Sequence, residues 1–265
     1  MLKKKFIPDP KSNRMRYAGD LAHARKILTE APPANLLFLL KNRFCWMNDF
    51  IEATDTGIEV GCGLGVSSCY IKAQSFLLTD FNGMEWLDVK NVNALETPFP
   101  DESFNFVVSS NMIHHLPYPL RFFGEMHRIL KKNGVLLIQE INLSLLCRAL
   151  AHIMRSEGYC YEIDIFDINF KCAPDDDYWA GNNSIPNLLF DDKERFEKNI
   201  PGFTIIKRKF SEVFTFINSG GVTAKTFFVP LPLCVLKCLK IIDDFLAKRF
   251  PMIFALQQQI VLRKT

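Results

Sequence analysis

The stretch Gly57-Ile-Glu-Val-Gly-Cys-Gly-Leu-Gly65 sets three glycines, each two residues apart, directly after a short apolar run. A strand turning into a helix lets ligand atoms reach its backbone only where side chains are missing, and the helix start adds unpaired N–H groups. Gly61, Gly63 and Gly65 supply that gap, so the stretch predicts a strand, a ligand-binding turn and a helix. Val66 follows Gly65, which makes the spacing G-x-G-x-G. The dinucleotide fingerprint is G-x-G-x-x-G or its alanine-ended form, so a nicotinamide or flavin cofactor is disfavoured. The next apolar run ends in Leu77-Leu-Thr-Asp80. A carboxylate at the end of a second strand is well placed to accept two ribose hydroxyls, which points to a nucleoside-type ligand.

Outward from this stretch, short apolar runs alternate with helical patterns. The runs are 57–60, 76–79, 104–109 and 135–139, and a helix is predicted over 120–130, closed by Lys131, Lys132 and an Asn133-Gly134 turn. Such alternation predicts an α/β fold with a mostly parallel sheet and helices on both faces. Two helices, separated by Pro32-Pro33, precede the first strand. From 141 to 199 the periodicity weakens around a polar, aromatic-bearing stretch, 175–186, which reads as an inserted cap. Strands follow over 203–210 and 257–264. Between them Val235, Leu236, Leu239, Ile242, Leu246 and Phe250 form one helical stripe opposite Lys237, Lys240, Asp243, Asp244 and Lys248, read as core packing. The segments expected are therefore a helical lead at 1–53, a ligand-binding core at 54–142, a cap at 143–200 and a terminal strand pair with a helical insertion at 201–265.

The bulk properties narrow the class. The 265 residues, 48% of them hydrophobic, suit a globular enzyme with one sizeable core. A net charge of +3 with scattered cations leaves no footprint for a phosphate backbone, so nucleic acid is not expected as a partner. The eight cysteines form no C-x-x-C pair and no spaced ligand set, so free thiols in a reducing compartment and no metal are expected. Pro8, Asp9, Pro10 and Lys11 interrupt any secretion signal, and no run approaches the ~20 apolar residues of a bilayer span. A cytoplasmic location is the expectation.

Four segments then resemble the class I S-adenosylmethionine-dependent methyltransferases: EVGCGLG at 59–65, LLTD at 77–80, the long segment from Asn93 to Glu140, and the terminal strand pair. The long segment is the specific one, since its proline-phenylalanine turn, strand, paired histidines and lysine-asparagine-glycine turn occur together and in order. The resemblance implies a doubly wound, Rossmann-like sheet of seven strands and S-adenosylmethionine as cofactor. It places Glu59 toward the cofactor's amino-acid end, the backbone of Gly61, Cys62, Gly63 and Gly65 along that tail, and Asp80 on the ribose with Phe81 beside it. Asn93, Ala94 and Leu95 border the adenine, Asn93 replacing a usual aspartate, and Ser109 and Asn111 line the same cleft. Trp86 falls against the sheet edge or the cofactor pocket, or simply closes its loop.

Methyl transfer from a sulfonium is an in-line displacement that orientation can largely promote. An alcohol acceptor gains from a nearby base, and His114 and His115, past the fourth strand of the family's sheet, are the candidates. Asp175, Asp176 and Asp177 are weaker ones. Substrate choice falls to grafted segments. Tyr178 and Trp179 with Asn182 and Asn183 combine flat aromatic surface with amides, a mixture suited to a hydroxylated, saccharide-like acceptor of the kind met in polysaccharide biosynthesis. The turn Asn218-Ser-Gly-Gly221 is a second candidate contact. The readings left open are O-methylation of a small molecule or glycan precursor, C- or N-methylation of a lipid, quinone or secondary metabolite, and a non-catalytic binding module. Contact of the 233–250 stripe with a membrane surface is the less favoured alternative to core packing.

Overall fold

The protein is described from a computed structural model, which covers residues 3–173 and 181–265. Eight strands are named in chain order: β1 (Lys5–Phe6), β2 (Thr56–Val60), β3 (Ser75–Thr79), β4 (Phe104–Ser110), β5 (Leu130–Ile141), β6 (Tyr159–Cys160), β7 (Phe203–Ser211) and β8 (Gln257–Lys264). Six of them make one sheet in the order β3-β2-β4-β5-β8-β7. The four-strand half from β3 to β5 is parallel, and β8 joins antiparallel to both β5 and β7. The chain leaves β2 for β3 on one side and β4 on the other. That reversal puts the switch point, where open α/β sheets bind ligands, at the carboxyl end of β2.

The sheet thus has six strands among the described residues, where seven were expected. The segment 81–103 lies in turns, with only isolated bridges at Thr79–Val89 and Asn93–Glu96, so no further strand extends the sheet beyond β3. A second departure follows the glycine turn. In place of the expected helix there is a single 3-10 turn, Val66–Cys69. The third concerns the lysine-asparagine-glycine turn, which does not close a helix: α3 (Pro119–Ile129) runs straight into β5, and residues between Leu130 and Val135 form a bulge opposite Phe104 and Phe106, with Asn133 at φ 64°.

The remaining helices are α1 (Leu21–Glu30), α2 (Ala34–Phe44), α4 (Leu145–Met154), α5 (Ile185–Phe190), α6 (Lys193–Asn199), α7 (Phe214–Ile217), α8 (Leu233–Arg249) and α9 (Pro251–Phe254). Successive strand residues face opposite ways, so both faces of the sheet carry a core. Ile58, Val107, Leu136 and Ile138 meet Phe122, Phe123 and Met126 of α3, while Val108, Leu137 and Val261 meet Leu36, Leu39 and Leu40 of α2. Part of the expected cap belongs to the first of these cores: Leu189, Phe190 and Phe196 pack edge-on and tilted around Phe123. The amino-terminal segment crosses to the same region, where β1 pairs with β6. Among the described residues no helix is long and apolar enough to cross a membrane.

α8 turns a different face inward than its stripe suggested. Leu236, Asp243 and Ala247 are its buried residues, whereas Ile242, Val235 and Phe250 of the expected stripe are exposed. Asp243 decides the rotation. Its carboxylate accepts hydrogen bonds from the backbone N–H groups of Val213, Phe214 and Thr215 and from the Thr215 hydroxyl, satisfying the start of α7.

Phe123, 1% exposed, joins α3 to the cap and to β7 through edge contacts with Phe190, Phe196 and Phe203. Phe123→Ala should cost about 3–5 kcal/mol in urea unfolding; a loss under about 1 kcal/mol would show that this junction does not hold the layers together.

Candidate active site

The carboxyl end of β2 is built for close approach. Gly61, Gly63 and Gly65 all take left-handed backbone, at φ 66°, 51° and 64°. Their surroundings differ. A side chain at Gly61 would run into Met112 Cγ at 2.4 Å, and one at Gly65 would press on Leu78 and Trp86. A side chain at Gly63 would meet no atom within 4 Å, so this glycine faces open space. The turn is fastened from behind: Cys62 N–H donates to Thr79 O (3.0 Å), Trp86 Nε1–H to Gly63 O (2.9 Å), and the Arg25 guanidinium to Leu64 O. Trp86 therefore braces the glycine turn.

Asp80 stands at the end of β3 with 7% exposure. Its Oδ2 accepts Gly63 N–H at 2.9 Å, and its Oδ1 accepts the backbone and side-chain amides of Asn82. Oδ1 is thereby filled, while Oδ2 keeps one further acceptor site. Phe81, next in the chain, is 59% exposed and offers a flat face beside it. Asn93 is exposed, and its amide oxygen accepts Leu95 N–H at 3.0 Å in a local turn, while Ala94 is buried and Leu95 half-buried against the core. Beneath the turn Glu59 is 1% exposed and accepts the Ser67 hydroxyl. Burial pushes its carboxyl up to about 8; the Ser67 bond opposes this and the charge of Asp80 adds to it.

The carboxyl ends of β4 and β5 hold the second half of the site. Glu140, fully buried, takes four hydrogen bonds: Met112 N–H (2.8 Å) and Ile113 N–H (2.7 Å) on Oε1, His114 Nδ1–H (2.7 Å) and Ile141 N–H (3.0 Å) on Oε2. His114 Nε2 lies 3.7 Å from Glu157 Oε2. Burial alone would lower the His114 pKa, but the charge and hydrogen bond of Glu140, with Glu157, outweigh it and raise the value. His115, with its ring 4.1 Å from that of His114, is driven well below the ordinary histidine value by burial and by its neighbour's charge. The two rings are thus pushed in opposite directions, His114 toward the charged form and His115 toward the neutral one. Ligand atoms of His114, His115 and Glu157 all lie within 4.8 Å of one another, a set able to take a divalent ion if one displaced the His114 Nε2 proton.

Ser109 is buried with its hydroxyl lacking a partner among the described residues. Asn111, at φ 51°, accepts Gln257 Nε2–H at 2.9 Å. That bond ends a buried polar chain that the sequence alone did not disclose: Arg43 pairs bidentately with Glu212 (3.0 and 2.6 Å), and Gln139 bridges Glu212 to Gln257. Glu140, Glu157 and this chain went unread because single polar residues in apolar strands or irregular loops carry no spacing signal.

Of the expected acceptor contacts, Asn182 is corrected. Its Nδ2 donates to Cys160 O and Cys172 O, its Oδ1 accepts Cys160 N–H, Ser184 N–H and the Ser184 hydroxyl, and its own N–H donates to His114 O. It braces the cap and has no group left for a substrate. Asn183 is buried with Oδ1 unpartnered among the described residues. Trp179, Tyr178 and Asp175 to Asp177 lie outside the described residues. The 218–221 turn packs near α1 and α2, where Asn35 holds Asn218 O, and does not reach the histidines. A polar depression of about 330 Å³ lined by Asp55, Asn105 and Lys131 opens at the opposite, amino-terminal end of the sheet, where solvated charges mark it as ordinary surface.

Compared with known proteins, residues 58–138 match the family described as Methyltransferase domain. An uncharacterized protein of Haemophilus influenzae is 32% identical over 108 residues, a match covering 32% of this chain and 42% of that protein. A demethylmenaquinone methyltransferase of Lysinibacillus sphaericus is 36% identical over 52 residues, covering 20% and 22%. The chain thus matches less than half the length of these curated relatives. The crystal structure of an S-adenosylmethionine-dependent methyltransferase from Archaeoglobus fulgidus superposes with a TM-score of 0.52 at 16% identity, over 86% of this chain and 93% of that one, and supports the Rossmann-like fold.

Since the folded protein keeps a proton on Glu59 that the unfolded chain releases in the ordinary carboxylate range, stability from the neutral carboxyl is complete at acid pH and lost as pH rises through about 8. Denaturation of the unliganded protein should show this fall, on the order of a few kcal/mol, and Glu59→Gln should flatten it. An unchanged slope in the variant would assign the fall to other groups.

Proposed function

We propose, from the match of residues 58–138 to the methyltransferase domain family and their Rossmann-like fold, that the protein binds S-adenosylmethionine and transfers its methyl group to a small-molecule acceptor, a hydroxyl of a saccharide or glycan precursor. The observation that carries the cofactor reading is the pairing of Gly63, open to solvent on a left-handed turn, with Asp80 hydrogen-bonded across that turn. A ligand lying over Gly63 meets bare backbone, and a ribose hydroxyl reaches the one acceptor site left on Asp80 Oδ2, a second being accepted on Oδ1 where it replaces the Asn82 side-chain amide. The exposed ring of Phe81 suits the adenine, bordered by Ala94 and Leu95, while Asn93 contributes its amide NH2 and one lone pair. Bound S-adenosylmethionine supplies an electrophilic methyl on a sulfonium, and its positive charge favours a site beside the Asp80 carboxylate.

In this reading the chain's own residues orient the acceptor and manage one proton. His115, neutral, takes the proton from an acceptor hydroxyl as the oxygen approaches the methyl carbon. His114, charged and locked by Glu140, cannot act as base; it keeps His115 neutral and fixes its ring. Asn183 offers its amide oxygen to a second acceptor hydroxyl. A different reading, methylation of a ring carbon of a lipid-soluble quinone, draws support from the likeness to the demethylmenaquinone enzyme, which spans 22% of that protein.

The test is methyl transfer from radiolabelled S-adenosylmethionine to a panel of sugar nucleotides and quinones. With a saccharide acceptor, His115→Phe should lower turnover roughly a hundredfold or more while S-adenosylhomocysteine affinity stays within a factor of about two. Label in quinones alone would reject the saccharide reading, and undiminished turnover in the variant would remove His115 from the mechanism.

A further inference from the structure

The face of α8 turned to solvent carries several large apolar side chains among its lysines. Ile241 is 69% and Phe245 63% exposed, with Ile242 46% beside them, and Leu233 is 57% exposed at the start of the helix. Phe227, in the segment leading to α8, is 88% exposed, and Met252 and Ile253 of α9 extend the surface beyond the bend at Phe250. α8 alone is about 25 Å long at the rise of a helix. Soluble monomers rarely leave so continuous an apolar strip uncovered.

The charges around it are mostly positive. From 213 to 256 the sequence holds five basic residues and two acids, Asp243 and Asp244. Asp243 is buried beneath α7, and Asp244 is paired with Lys240 at 2.6 Å and Lys209 at 3.7 Å. Among the described residues Lys237, Lys248 and Arg249 of α8 form no ion pair, and Lys237 and Lys248 flank the strip on one edge of the helix at i and i+11. An apolar strip edged by cations matches the chemistry of an anionic bilayer surface. A second copy of the chain fits poorly, since a twofold contact would set these cations against themselves.

The strip also adjoins the acceptor end of the site. Asn142, two residues past Glu140, holds the Pro251 and Ala255 carbonyls through Nδ2, which fixes α9 beside α4. α4 begins at Leu145, and its Leu145 and Ile153 are exposed in turn.

We propose that α8 and α9 form a docking face for an anionic lipid bilayer, lying in the interface with Ile241, Phe245, Met252 and Ile253 among the headgroups and acyl ends. Docking of this kind presents the carboxyl ends of β4 and β5 to acceptors carried on lipid. It stands independently of which acceptor is methylated.

Co-sedimentation of the full chain with vesicles of phosphatidylglycerol and phosphatidylcholine in equal parts, against phosphatidylcholine alone, tests this. Binding to the anionic vesicles that weakens with salt is expected. Lys248→Glu and Arg249→Glu should each weaken it roughly fivefold or more, and Ile241→Asp with Phe245→Asp at least about tenfold. All four residues are exposed, so circular dichroism and S-adenosylhomocysteine affinity should be unchanged, which separates this result from the cofactor reading. No binding to either vesicle, equal binding to both, or binding indifferent to the apolar substitutions would overturn the proposal. So would self-association in analytical ultracentrifugation abolished by Ile241→Asp in a protein that ignores vesicles.

Discussion

Glu140 is a carboxylate removed from water, and a group of that kind persists only where its oxygens are fully engaged. Four N–H donors meet that requirement, and three come from the consecutive residues Met112, Ile113 and His114. The constraint bends the chain after β4 into one short turn, so the end of β5 dictates the shape of the end of β4. It also fixes the electrostatics of the site. Glu140 favours the charged form of His114, and burial and the His114 charge favour the neutral form of His115. One buried acid therefore orders the backbone, the ring orientation and the division of protons.

A second buried pair ties this end of the sheet to the rest of the molecule. Arg43 of α2 and Glu212 after β7 are 5% and 7% exposed at their side chains, and each would be costly to bury without the other. Through Gln139 and Gln257 their hydrogen bonds run on to Asn111, which begins the turn capped by Glu140. The amino-terminal helices and the carboxyl-terminal strand, distant in sequence, thereby bear on the same few residues. The network is nearly satisfied, only Gln139 Oε1 being buried without a partner among the described residues, and such networks specify one arrangement where apolar packing tolerates several.

The central strands were legible because their apolar runs were short, bounded and separated by helical periodicity, and the glycine turn because left-handed backbone at three alternate positions asks for glycine. The helix expected after Gly65 was not there: the turn is held by Asp80, Trp86 and Arg25, partners spread over the chain that no local pattern announces. The seventh strand was carried over from a family resemblance, and 81–103 instead closes the sheet edge in turns. α8 was misread in phase for a plain reason. Apolar residues occur on most of its circumference, so periodicity could not choose the buried side, and the backbone needs of α7 chose it through Asp243. Asn182 looked like a substrate contact because an amide beside aromatics has two uses, and only its partners distinguish them.

The central claim is that the turn at Gly61 to Gly65, with Asp80, holds S-adenosylmethionine. Calorimetric titration of the purified protein with S-adenosylmethionine, S-adenosylhomocysteine and NAD, alongside Gly63→Val, tests it most directly. The account predicts saturable binding of the first two, none of NAD, and loss of binding in the variant, whose side chain enters open space though left-handed backbone strains it, so that its fold is checked by circular dichroism. Binding of NAD, or S-adenosylhomocysteine affinity unaffected by Gly63→Val, would contradict it.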